Sequence, residues 1–107
     1  FVQGMGWLTT EELVWKADGQ LATHAPSTYK IPTAADVPEH FKVDLWHEPN
    51  REDNVFGSKA VGEPPFMLGI SVFEALRDAV AQAKGPGATV QLTAPATAEN
   101  VLKALKD

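Results

Sequence analysis

Glu63 is the residue best placed to do chemistry. It stands in Ser58-Lys59-Ala60-Val61-Gly62-Glu63-Pro64-Pro65, directly before an apolar run with helical spacing. A carboxylate at a helix start meets the positive end of the helix dipole, worth about 0.3–1 kcal/mol, which favours the ionised form. Val61, Phe66 and Met67 beside it would strip water away, which favours the neutral form. An ionised, partly dry carboxylate on a stiff Gly-Glu-Pro-Pro backbone is suited to general-base work. The plain alternative is that Glu63 only caps or flanks the helix, as acidic residues commonly do. One carboxylate does not decide between the two.

Other chemistry finds less support in the residues. His24, His40 and His47 show neither the i, i+4 spacing of a helical metal pair nor a neighbouring carboxylate set, so no metal ligand is expected. Ser27, Ser58 and Ser71 sit in no Gly-x-Ser-x-Gly elbow. Gly4 and Gly6 lack the third glycine and the preceding strand of a dinucleotide fingerprint. Gly85-Pro86-Gly87 reads as a helix stop rather than a phosphate loop. Trp7, Trp15 and Trp46 read as core or interface aromatics.

The elements that must carry Glu63 follow from periodicity. Phe1, Val2, Met5, Leu8 and Leu13 fall near helical spacing, and the glycines within them allow close approach of another backbone or a ligand. Asp18-Gly19 between two short alternating segments predicts a hairpin. The proline-bounded stretch Pro26–Pro32 is extended or irregular. Strict alternation over Phe41–His47 predicts a half-buried strand. The strongest element is a helix over Pro64–Lys84, with Leu68, Val72, Ala75, Leu76, Ala79, Val80 and Ala83 on one face. Its first half is apolar nearly all round and is expected to be buried in something larger. A strand over Thr89–Leu92 and a final helix capped by Thr97, apolar at Val101, Leu102 and Leu105, complete the chain. The order predicts an α+β fold with helices packed on a small mixed sheet.

Length and composition set outer bounds. A chain of 107 residues is one domain at most. Nine basic against fourteen acidic residues give a net charge of −5, a poor match to nucleic acid or an anionic membrane. There is no cysteine, so disulfides, thiolate metal sites and iron–sulfur ligation are excluded for these residues. No apolar stretch approaches the roughly 20 residues of a membrane span. The start at Phe1, without methionine or basic leader, reads as a cut inside a longer protein, with a processed terminus as the alternative.

Three blocks in order are more specific than any of these features. Phe1-Val2-Gln3-Gly4-Met5-Gly6 followed by Glu11-Glu12-Leu13, then Pro26-Ser27-Thr28-Tyr29-Lys30-Ile31-Pro32, then Ser58 to Pro65 resemble the C-terminal end of the molybdenum-binding subunit in the xanthine dehydrogenase family. The resemblance covers Phe1 to about Ala83, and Lys84 to Asp107 match a variable tail less distinctively. It implies that residues 1–107 are the C-terminal segment of a molybdopterin-binding domain, inactive alone. The family oxidises hypoxanthine and xanthine towards urate with oxygen from water, at molybdenum held by a pterin dithiolene. By its place in the motif, Glu63 is the base that takes the proton from the water-derived hydroxyl. Val61 and Gly62 would line the pocket near the metal.

The resemblance further implies that no residue here ligates molybdenum, since the pterin supplies the sulfurs. FAD and 2Fe–2S clusters would lie in other domains or subunits, with NAD as acceptor. The implied partners are the rest of the molybdenum-binding subunit, an FAD/iron–sulfur subunit and a purine, in a cytoplasmic dimer of heterodimers. Two alternatives stay open. One is a sister molybdenum hydroxylase acting on aldehydes or N-heterocycles. The other is a non-catalytic α+β interaction module.

Overall fold

Helix α1 (Val2–Thr9) heads the chain in a computed structural model whose described residues are 1–59 and 62–107. Helices α2 (Pro64–Met67), α3 (Ile70–Lys84) and α4 (Ala98–Lys106) follow, with 3-10 turns at Ala34–Asp36 and Val55–Gly57. An isolated α1 would be weakened by about 1 kcal/mol at each of its glycines. Those glycines are what let it pack. A Cβ on Gly4 would stand 2.6 Å from the carbonyl oxygen of Phe66, and one on Gly69 2.6–2.8 Å from the Gly4 backbone. A Cβ on Gly6 would collide with the ring of Pro32. Backbone therefore lies on backbone where α1 crosses the start of α3, and both α1 glycines are buried.

That crossing coincides with a break in the helix expected over Pro64–Lys84. At Leu68-Gly69 the hydrogen bonding tightens to i→i+3. Gly69 N–H donates to Phe66 O, Ser71 N–H to Leu68 O and Val72 N–H to Gly69 O, each at 3.0 Å. The periodicity shows one helix where the chain makes two, since spacing does not register a contact from outside the helix.

The end of α3 and the start of α4 follow their local signals. Helix α3 stops at Gly85, whose φ of 98° is left-handed, as Gly-Pro-Gly predicts. Lys84 Nζ then donates to the carbonyls of Thr89 and Ala104, both at 3.3 Å, and holds α4 against the end of α3. Thr97 Oγ1 accepts the N–H of Asn100 at 3.2 Å, the cap read from the sequence. Thr97→Ala is expected to lower stability by about 1 kcal/mol, read as a lower thermal unfolding midpoint, because that N–H loses its partner. The inward face of α4 differs from expectation: Ala104 is buried and Val101 half-buried, while Leu102 and Leu105 are exposed. Ala96 N–H donates to Leu8 O at 2.7 Å and ties this region back to α1.

The mixed sheet expected from the sequence is not formed. Among the described residues the β pairing is a single antiparallel bridge, Trp15 to Leu21, closing the predicted Asp18-Gly19 hairpin. There Lys16 N–H donates to Gln20 O and Ala22 N–H to Val14 O, and Gly19 takes a φ of 82°. Neither Phe41–His47 nor Thr89–Leu92 is a strand. Alternation records which side of a segment is apolar, but a strand exists only when a neighbour supplies its ladder. Neither stretch has a backbone–backbone hydrogen bond among the described residues, and Trp46 is 86% exposed. The chain is helical, not α+β.

The core is correspondingly small. Val80, Ala96 and Ala104 are the buried apolar side chains among the described residues, while Met67, Leu68 and Ile70 stay exposed. The radius of gyration is 18.1 Å, against about 13 Å for a compact chain of this length. The apolar first half of the long helical region is thus only partly covered by the described residues: Phe66 and Phe73 are half-buried, while Met67, Leu68 and Ile70 stand exposed.

Candidate active site

Two elements meet at Glu63. The first is its own backbone: Glu63 is the N-cap of α2, its carbonyl accepting the N–H groups of Phe66 (3.0 Å) and Met67 (3.1 Å). Prolines at the first two helical positions fix φ and have no N–H to leave unpaired, so this turn is stiff despite its four residues. The second element is the N-terminal end of α1, brought close by the Gly4–Gly69 crossing and by the Trp7 ring stacked 4.9 Å from that of Phe66.

Between them lies a cleft of about 190 Å³ lined by Phe1, Gln3, Gly4, Gly62, Glu63 and Phe66. Of the candidates read from sequence, the structure brings Glu63 and Gly62 together here. Val61 lies outside the described residues. The Glu63 side chain makes no capping hydrogen bond, so its carboxylate is not spent on its own helix. It is also exposed, and Met67 is 61% exposed. The dry surroundings expected from Val61, Phe66 and Met67 are therefore incomplete within these residues, and any further drying of the carboxylate must come from another surface.

Gln3 and Phe1 are the lining residues that sequence reasoning missed. Gly4 and Gly6 were the available signal, since two glycines in an apolar helix mark a close approach. What the glycines could not tell was that Glu63 lay on the far side. The histidines take no part. His24 Nδ1 lies 3.0 Å from Leu21 O, and His40 and His47 are exposed. Among the described residues no group of three His, Asp or Glu side chains could hold a metal ion. A larger apolar hollow of about 460 Å³, walled by Leu13, Leu21, Tyr29 and Ile31 among others, shares no residue with the Glu63 cleft and offers no carboxylate.

Residues 1–38 match the family model described as the molybdopterin cofactor-binding domain. Over its whole length the chain is 42% identical to the xanthine dehydrogenase/oxidase of Felis catus. The chain is homologous to the xanthine dehydrogenases. It is also 43% identical over its whole length to a nicotinate hydroxylase of Emericella nidulans and to aldehyde oxidase 2 of Mus musculus. Overall identity thus does not separate xanthine dehydrogenases from their sister molybdenum hydroxylases. The chain spans 7–8% of the length of these relatives, which accords with its exposed apolar helix and small core.

For a xanthine dehydrogenase homologue, the test is whether these residues suit a molybdenum–pterin group. Complete small-molecule pockets occupy about 300–1,000 Å³, and this cleft has about 190 Å³. It is large enough for one wall of such a site. The lining agrees: one amide (Gln3), one carboxylate without a hydrogen-bond partner among the described residues (Glu63), and no thiolate or imidazole. An amide and a carboxylate are groups that can orient a ligand and exchange a proton with it.

Proposed function

We propose that these residues form the C-terminal wall of the active site in a molybdenum hydroxylase, with Glu63 as the general base. The observation that carries this is the cleft that Glu63, on a proline-stiffened turn and with no side-chain capping bond, lines together with Gln3 and Gly4 of α1. The molybdenum–pterin group, when bound, supplies the two-electron acceptor for hydroxylation with oxygen from water. Converting a ring C–H to C–OH with water releases two protons and two electrons. Glu63 takes up one of those protons as the new C–O bond forms, and Gln3 presents amide donor and acceptor groups to the ring. The surrounding pterin-cradling and substrate-orienting residues belong to other parts of a longer chain. FAD and 2Fe–2S clusters lie in other domains or subunits, and NAD receives the electrons.

The substrate class we favour is a hydroxypurine, hypoxanthine or xanthine. Support comes from the Pro26–Pro32 and Lys59–Pro65 blocks, which resemble the xanthine dehydrogenases. The second reading, an aldehyde- or nicotinate-oxidising sister enzyme, is favoured by the equal identity to those relatives. Comparing kcat/KM of the full-length enzyme on xanthine, an aromatic aldehyde and nicotinate separates the two. We expect xanthine to lead by about 10²-fold or more, as expected where polar ring atoms are read by hydrogen bonds. A lead for the aldehyde or nicotinate would move the assignment to the sister class. A self-contained interaction module fits poorly with the small core and the expanded radius of gyration.

A further inference from the structure

We propose that Tyr29 and Glu11 are positioning residues for the Glu63 cleft, bracing the far end of α1 and so setting where Gln3 stands relative to Glu63. The proposal rests on the reading of Glu63 as the base and extends it to residues outside the cleft.

The geometry comes from the two ends of α1. At its N-terminal end, the contact with α2 and α3 is glycine backbone on glycine backbone. Such a contact fixes how closely two segments approach, but it has no directional bond to stop α1 turning or sliding. The directional bonds are at the other end, where Ala96 N–H donates to Leu8 O at 2.7 Å and the stretch Tyr29–Pro32 adds its own. Tyr29 Oη donates to Glu11 Oε2 at 2.6 Å, a short charge-assisted bond in a half-buried position. Thr10 Oγ1 donates to Lys30 O at 2.7 Å, and the Pro32 ring sits where a Cβ on Gly6 would be. The stretch Tyr29–Pro32 thus meets the last turn of α1 and the residues just beyond it in three ways. By accepting that bond, the Glu11 carboxylate pushes the Tyr29 hydroxyl upward from the ordinary phenol value.

A helix of eight residues is about 12 Å long and turns as a unit. Catalytic geometry must be held to about 0.5 Å and 10–20°. Releasing the brace leaves α1 held by its glycine contact, the Trp7–Phe66 ring contact and the Ala96–Leu8 bond alone, a looser hold that lets Gln3 shift across the cleft while Glu63 stays on its own turn. The brace and the cleft share no residue, so its loss acts through α1.

The test uses the full-length enzyme carrying Tyr29→Phe, Glu11→Ala or Glu11→Gln, with xanthine turnover expressed per molybdenum. Amide exchange at Thr10 and Glu11, whose N–H groups donate to Gly6 O, is followed in parallel. Tyr29→Phe and Glu11→Ala are expected to speed that exchange and to lower kcat/KM per loaded site about tenfold. Glu11→Gln still offers an acceptor oxygen and should stay within about twofold. Faster exchange with unchanged kcat/KM would make the brace merely structural and overturn the proposal, as would unchanged exchange. Glu63→Gln is measured alongside: if it kept full turnover, the base assignment and the brace would fall together. If it were inactive while Tyr29→Phe matched the parent enzyme, the brace alone would fall.

Discussion

Glu63→Gln in the full-length enzyme is expected to lower kcat by about 10²–10⁴-fold, the usual contribution of a positioned general base. Glutamine keeps the shape and the hydrogen-bonding oxygen but cannot take a proton, so the loss isolates proton transfer from packing. Little change in stability should accompany it. The Glu63 side chain is exposed and makes no capping bond, while its backbone carbonyl, which does hold α2, is unaffected. Glu63→Asp should fall in between. It restores the carboxylate but draws it back by one methylene along a turn whose prolines cannot follow. Rates measured under saturating substrate distinguish these outcomes from weaker binding, which would appear in KM instead.

Gly69→Ala is expected to have the second largest effect, although it lies outside the cleft. Its added Cβ would stand 2.6 Å from the carbonyl carbon, 2.7 Å from the oxygen and 2.8 Å from the Cα of Gly4. All three atoms are backbone, so no side chain can swing aside and the two segments must separate. Overpacking of this kind costs about 1–3 kcal/mol. A shift near 1 Å between Gln3 and Glu63 can cost a further 10²-fold in rate. Thermal unfolding and steady-state kinetics of the variant should therefore both move: a lower midpoint, and a kcat/KM depressed well beyond what unfolding accounts for. A variant with parental midpoint and rate would show that the crossing of α1 over α3 does not position the cleft.

Signals carried within one turn of chain were legible in the sequence. The Thr97 cap, the Gly85 stop, the Asp18-Gly19 hairpin and the proline-led start of α2 are each specified by two to four neighbouring residues. Signals that need a partner were not. Phe41–His47 alternates as a strand does, yet nothing among the described residues pairs with it, and it runs exposed without regular structure. The same holds for Thr89–Leu92, and with both strands gone the expected sheet goes too. The break at Leu68-Gly69 was hidden for a related reason, since Gly69 alone is tolerated within a helix and its backbone contact is with Gly4, sixty-five positions away.

The candidate site divides in the same way. Glu63 could be singled out because a carboxylate in Gly-Glu-Pro-Pro is held stiffly by its immediate neighbours. Gln3 could not, since its relation to Glu63 exists only through the glycine crossing. Tyr29 and Glu11 were visible only as members of familiar blocks, and their 2.6 Å contact joins two of those blocks.

The most direct measurement of the central claim is molybdenum content and xanthine turnover determined on one preparation of full-length Glu63→Ala. Loss of turnover by two orders of magnitude or more with molybdenum retained is the expected result, and it would place Glu63 in the proton-transfer step. Near-parental turnover at full molybdenum occupancy would contradict it and leave Glu63 as the carboxylate that happens to begin a helix.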